Sequence, residues 1–175
     1  MFNSTYKVDD LLEFKPFLLN QKRIMGLDLG KKRIGISIST LSHIGALPLK
    51  TISNDKFIEL IDVIKNIVNE YDIKAIIFGL PKNMDGSEGK SAQSVRDRAE
   101  KICNELCIKY AFWDERLSTV AVERNYTIDE KSRAKKRDNK KDIDNLAAAF
   151  ILEGAINYIT SCLLYTSPSP RDGLL

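Results

Sequence analysis

The stretch Arg23-Ile-Met-Gly-Leu-Asp-Leu-Gly-Lys-Lys-Arg-Ile-Gly-Ile-Ser-Ile-Ser-Thr40 decides the fold. Its first seven residues form an apolar run and Gly30-Lys31-Lys32 is a turn. From Arg33 apolar residues alternate, placing Ile34, Ile36 and Ile38 on one face. The pattern predicts a β-hairpin. A third strand is expected over 45–52, at an edge, because Pro48 has no N–H to give to a ladder.

Beyond the hairpin the period changes. Between Asp55 and Glu70, Phe57, Leu60, Ile61, Ile64, Ile67 and Val68 recur at spacings of three and four, the stripe of a helix packed on a sheet. Ile73 to Phe78 is a continuous apolar run bounded by Gly79 and Pro81, which suits a strand buried on both faces. After the turn-rich loop GLPKNMDGSEG (79–89), Ala92, Val95, Ala99, Ile102 and Leu106 mark a second helix, and a strand follows over 108–115. A third helix is expected over 117–126, with Ser118 as its N-cap, and a closing helix over 142–159, lined by Leu146, Ala147, Phe150 and Ile151. The order βββαβαβαα predicts an α/β fold: a mixed five-stranded sheet, three antiparallel strands and then parallel ones, with helices on both faces.

That pattern occupies residues 23–160. Residues 1–22 have no clean period, with Pro16 interrupting a short apolar element, and are set apart as an unassigned extension. Residues 161–175, SCLLYTSPSPRDGLL, break from the preceding helix and are excluded from the fold as a non-native or disordered tail. The 175 residues, 43% hydrophobic and 29% charged, suit one globular domain rather than a disordered or membrane chain. No apolar run approaches the roughly 18 residues of a membrane span. Cys103, Cys107 and Cys162 form no CxxC or Cys/His cluster, so the expected setting is the reducing cytoplasm, without zinc.

Net charge is +3, unevenly spread. Residues 129–141, DEKSRAKKRDNKK, hold seven Lys/Arg against three acids, a local +4 that leaves the remainder near −1. Such a segment can meet a phosphate backbone through Lys135, Lys136 and Arg137, or be an ordinary solvated loop.

Three acidic positions stand out. Asp28 lies within the apolar run Ile24–Leu29, where a carboxylate needs a cation or hydrogen bonds unless it merely caps the turn before Gly30. Asp114 and Glu115 end another apolar strand, and because successive side chains point to opposite faces only one can join Asp28; the other is expected to bind backbone or Arg116. Asp142 and Asp144 open the closing helix, where the helix dipole alone also favours carboxylates. If the sheet gathers one acid from each place, their hard oxygens suit Mg²⁺ or Mn²⁺, the ions of phosphodiester hydrolysis. His43 is the sole histidine, leaving little material for histidine-based catalysis. Lys82, Asn83 and Arg116 are candidate contacts to a nucleic-acid backbone. Ser91, Gln93 and Arg96 read equally as exposed helix positions, and Trp113 as core.

Four segments, GLDLGKKRIGIS (26–37), IIFGLPKNMDGSEG (76–89), WDERLST (113–119) and KDIDNLAAAFILE (141–153), resemble in order and spacing the YqgF family of pre-16S ribosomal RNA nucleases, relatives of Holliday junction resolvases. The resemblance spans about residues 23–159. It implies an RNase H-like fold, a metal-dependent nuclease, and a role in maturing the 5′ end of 16S ribosomal RNA. Holliday junction resolution, or non-catalytic RNA binding in ribosome assembly, are the competing functions. Carried over by position, it implies that Asp28, Glu115 and Asp144 are the catalytic and metal-holding residues. Precursor ribosomal RNA or branched DNA is the expected partner, no membrane is expected, and a homodimer stays open. An actin-like ATPase, whose phosphate loop also carries DLG, is disfavoured because that class needs a second such domain.

Overall fold

The computed structural model describes residues 6–42, 45–117 and 140–165, the last segment with side chains from 146 to 162. Strands β1 (Arg23–Leu29), β2 (Arg33–Ser39) and β3 (Ala46–Ser53) form the antiparallel meander. Then come α2 (Phe57–Glu70), β4 (Ile73–Leu80), α3 (Lys90–Leu106), β5 (Lys109–Asp114) and α4 (Lys140–Tyr165), while α1 (Lys15–Leu19) precedes the sheet. The strand order is β3-β2-β1-β4-β5, with β4 parallel to both β1 and β5. The mixed five-stranded sheet with helices on both faces is therefore as the sequence predicts. β1 and β4 read as unbroken apolar runs because helices cover both their faces, whereas β3, with Pro48 in it, is the half-exposed edge.

Two cores flank the sheet. On one face Leu27, Ile36, Ile76 and Phe78 pack under Leu60 and Ile64 of α2 and Ala99 and Ile102 of α3. On the other, Ile24, Ile77, Ala111 and Trp113 pack against Ile151, Leu152, Ala155 and Ile156 of α4. α4 lies at backbone distance from β1: a Cβ added to Gly26 would come within 2.7 Å of the Leu152 Cβ and 2.9 Å of the Ala148 carbonyl oxygen. The Ser37 hydroxyl, fully buried, donates to that same carbonyl at 2.8 Å. Small residues on both partners, Gly26 and the alanines of LAAAF, permit this contact, which seats α4 directly over the middle of the sheet.

Three expectations need correction. Pro16 does not interrupt the N-terminal element; it stands in the first turn of α1, where its missing N–H costs nothing, continuing a 3₁₀ turn over Leu11–Phe14. Residues 6–22 are not separate from the domain, since Val8, Phe14 and Leu18 are buried in the second core. The Val8 N–H donates to the Tyr110 carbonyl (2.8 Å) and the Tyr110 N–H to the Tyr6 carbonyl (3.0 Å), so this segment covers the outer edge of β5. Its elements are too short to show a period, which is why pattern alone missed them. α4 continues to Tyr165, past the expected end at 159, because turn formers begin only at Ser167. The helix expected over 117–126 and the end of the tail lie outside the described residues. No helix among those described is long and apolar enough to cross a membrane.

Candidate functional site

Strand alternation assembles the site. Ile24, Gly26 and Asp28 of β1, Ala75, Ile77 and Gly79 of β4, and Ala111 and Trp113 of β5 follow the parity of the face under α4, and Glu115 continues it. Asp28 and Glu115 thus stand at the carboxyl ends of two strands that flank β4, in the crevice where open α/β sheets bind ligands. Between them lies Gly79. A Cβ there would sit 2.6 Å from the Glu115 Oε1 and press into Ile151, so only glycine leaves space for the carboxylate. Glu115 is half-buried, and its pKa is pushed up to about 7, first by burial, then by the charge of Asp28 and that of Asp114.

Asp114 turns the other way. Arg116 grips it through its side chain, Nε to Oδ1 at 3.0 Å and to Oδ2 at 3.2 Å and Nη2 to Oδ2 at 2.7 Å, and its backbone N–H donates to Oδ1 at 3.1 Å. The Arg116 contact first, and Lys82 more weakly, hold the Asp114 carboxyl below the usual carboxylate range, against the opposing effect of burial. Arg116 also donates to the Met84 carbonyl at 3.3 Å, tying the 81–89 loop to the strand end. Lys82 lies 3.9 Å from both Asp114 and Glu88. Asn83 is used inside the loop, its Nδ2 on the Ser87 hydroxyl at 2.8 Å and its N–H on the Ser87 carbonyl at 2.9 Å. Arg96 is paired to Glu88 at 2.6 and 2.7 Å. Lys82 and Arg116 therefore stand on the Asp114 side, engaged with carboxylates. Trp113 is core, against Gly154 and Tyr158. The side chain of Asp144 and residues Lys135, Lys136 and Arg137 lie outside what is described.

A cleft of about 410 Å³ opens from Asp28 and Glu115. Its far wall is the first half of α3, with Lys90, Ser91, Ser94 and Arg98, and Lys31 of the hairpin turn closes one side. Sequence reasoning passed over Lys31, Lys90 and Arg98. The available signal was the spacing Ser91, Ser94, Arg98, a polar stripe beside the apolar one on α3.

Among the described residues no three acidic, His or Cys side chains gather at one point. The two carboxylates fit Mg²⁺ or Mn²⁺ nonetheless: such ions keep much of their water and take one or two protein carboxylates, completing their shell with substrate phosphate. Burial first, and then the opposed charges of Asp28 and Asp114, raise Glu115, and a divalent cation would offset both by favouring the ionised form.

A mixed sheet of this order, with two acids converging at the ends of its parallel strands, defines an RNase H-like fold. Thermus thermophilus RuvC superposes with a TM-score of 0.52 at 10% identity, covering 79% of this chain and 96% of that one, and the same protein in complex with a Holliday junction substrate with a TM-score of 0.50. The chain belongs to the RuvX family, described as Holliday junction resolvase, whose model matches residues 22–158. Among curated relatives, proteins named "Putative pre-16S rRNA nuclease" from Pelagibacter ubique and Beijerinckia indica are 44% and 40% identical over 149 and 151 residues. These matches cover 85% and 86% of this chain and 97% and 90% of theirs. The resemblance read from the four motifs is thereby borne out.

Proposed function

We propose that the protein is a divalent-metal-dependent endonuclease that hydrolyses phosphodiester bonds in the 5′-end maturation of pre-16S ribosomal RNA. The observation that carries this reading is that Asp28 and Glu115 stand at the ends of the strands flanking Gly79 and line one cleft. Nearly full-length relatives named for this RNA support the substrate.

Asp28 and Glu115 would hold Mg²⁺ or Mn²⁺, with Asp144 of α4 as a third acid. An ion bound there supplies Lewis-acid stabilisation of the phosphoryl oxygens and a water acidic enough to attack phosphorus near neutral pH. The protein's own residues prepare the place. Gly79 keeps the space beside the Glu115 carboxylate clear, with the Ile151 side chain of α4 on the same side. Arg116 holds Asp114 on the opposite face, so that Glu115 alone turns toward Asp28. Strand ends on a rigid sheet fix these groups more closely than loops do.

The test is incubation of the full chain with labelled precursor 16S RNA and a four-way DNA junction in Mg²⁺, Mn²⁺ or EDTA, beside Asp28→Asn. Metal-dependent cleavage of the RNA, lost in the variant, is the expected result. Cleavage of the junction alone would transfer the assignment to the activity named for the family. Binding of RNA without cleavage under any condition would refute the nuclease and leave an assembly factor.

A further inference from the structure

The cleft beside the two acids holds a positive charge that no carboxylate among the described residues pairs with. Arg98 lies half-buried in its α3 wall, where burial lowers the guanidinium pKa. Among the described residues its hydrogen bond is to a neutral group, Nη2 to the Asn54 Oδ1. No carboxylate among them pairs with it. Arg96 and Arg116 differ sharply, each held by both oxygens of a carboxylate, Glu88 or Asp114. A guanidinium carries five N–H donors, so Arg98 keeps most of them for a further acceptor.

The same amide that orients Arg98 also builds the opposite side of the cleft. Asn54 Nδ2 donates to the carbonyls of Gly30 at 2.8 Å and Lys31 at 3.2 Å, and its N–H donates to that of Lys32 at 3.0 Å. Asn54 therefore fixes both the hairpin turn that follows Asp28 and the guanidinium across from it. Lys31 and Lys90, exposed at the rim, add two further cations to the same lining. Charge that is partly desolvated, held by a neutral partner and facing open space beside a pair of acids is suited to a planar or tetrahedral oxyanion.

We propose that Arg98, with Lys31 and Lys90, forms a phosphate subsite that seats a backbone phosphate of the nucleic-acid strand next to the one being cleaved. The assignment rests on the nuclease reading for the identity of the strand, but the anion site itself does not. Arg98 and the lysines bind the chain and set its register; Asp28 and Glu115 act on the neighbouring linkage. A phosphodiester bears one charge per residue, so the cations hold any sequence alike and give affinity rather than base preference.

The test uses the full chain in EDTA, with binding of a labelled precursor 16S RNA fragment measured by anisotropy between 50 and 300 mM KCl (roughly the range where such contacts are salt-sensitive). Arg98→Gln, Arg98→Lys, Lys31→Gln and Lys90→Gln are compared with wild type, and cleavage is followed in Mg²⁺. Arg98→Gln is expected to weaken binding about tenfold and to reduce the slope of log Kd against log salt by about one, with Arg98→Lys between it and wild type. Each exposed-lysine variant is expected to lower the slope by a similar amount without moving the melting temperature, which keeps the test valid should Arg98→Gln fold poorly. Unchanged slopes in all three glutamine variants would overturn the subsite. Asp28→Asn separates the two readings: it should abolish cleavage and leave the salt slope intact. Absent cleavage with a slope that falls in Arg98→Gln would refute the nuclease and retain the subsite; intact cleavage with unchanged slopes would do the reverse.

Discussion

Replacing Glu115 by glutamine tests the electrostatics of the site directly. In the folded chain the Glu115 carboxyl titrates at about 7 rather than at its ordinary 4.5, so the native state favours the neutral form. The sign follows from linkage: the stability due to this group is fully present below about pH 4.5 and is lost as pH rises through 7, because the unfolded chain ionises more readily. At about 1.4 kcal/mol per pH unit the displacement corresponds to roughly 3.4 kcal/mol for a group wholly withdrawn from water. Glu115 is only half-buried, and solvent screening reduces the expected figure to about 2 kcal/mol. Glutamine has the shape of the protonated acid and does not titrate. In EDTA, Glu115→Gln should therefore match wild type near pH 4.5 and exceed it by about 2 kcal/mol at pH 8, a difference of about 4 to 8 °C in Tm for a chain of this length. Urea or thermal unfolding at pH 4.5, 6, 7 and 8 reads the effect. Parallel stability profiles for the two proteins would refute the reasoning, since Glu115 would then carry no penalty for its charge. The variant should also lose cleavage, the combination of greater stability and lost activity being the mark of a strained functional site.

Gly79→Ala places a methyl 2.6 Å from the Glu115 Oε1 and against the Ile151 side chain; it should destabilise the fold by about 1–3 kcal/mol in urea unfolding and abolish cleavage by displacing Glu115. Phe14→Ala empties a fully buried site in the second core and should cost about 3–5 kcal/mol by the same measurement, whereas an effect below about 1 kcal/mol would mean that residues 6–22 add nothing to the domain.

The sequence alone determined the sheet and the two helices α2 and α3. Periods of two and of three to four residues are local properties, and they located all five strands and the helices α2 and α3 to within a few residues. Alternation also showed that Asp114 and Glu115 must part, because adjacent strand residues cannot share a face. Which of the two turns toward Asp28 depends on the register of β5 against β4 and on where α4 lies, and both are tertiary facts. The same holds for Gly79, which reads in sequence as the end of a strand and proves in space to be the gap that a carboxylate fills. The N-terminal segment escaped pattern reading because its burial comes from docking on the edge of β5 and under α4 rather than from any period of its own. Arg98 escaped for a related reason. Its setting depends on Asn54, 44 residues away in the chain, a neutral partner that meets it only when the hairpin turn and α3 are folded together.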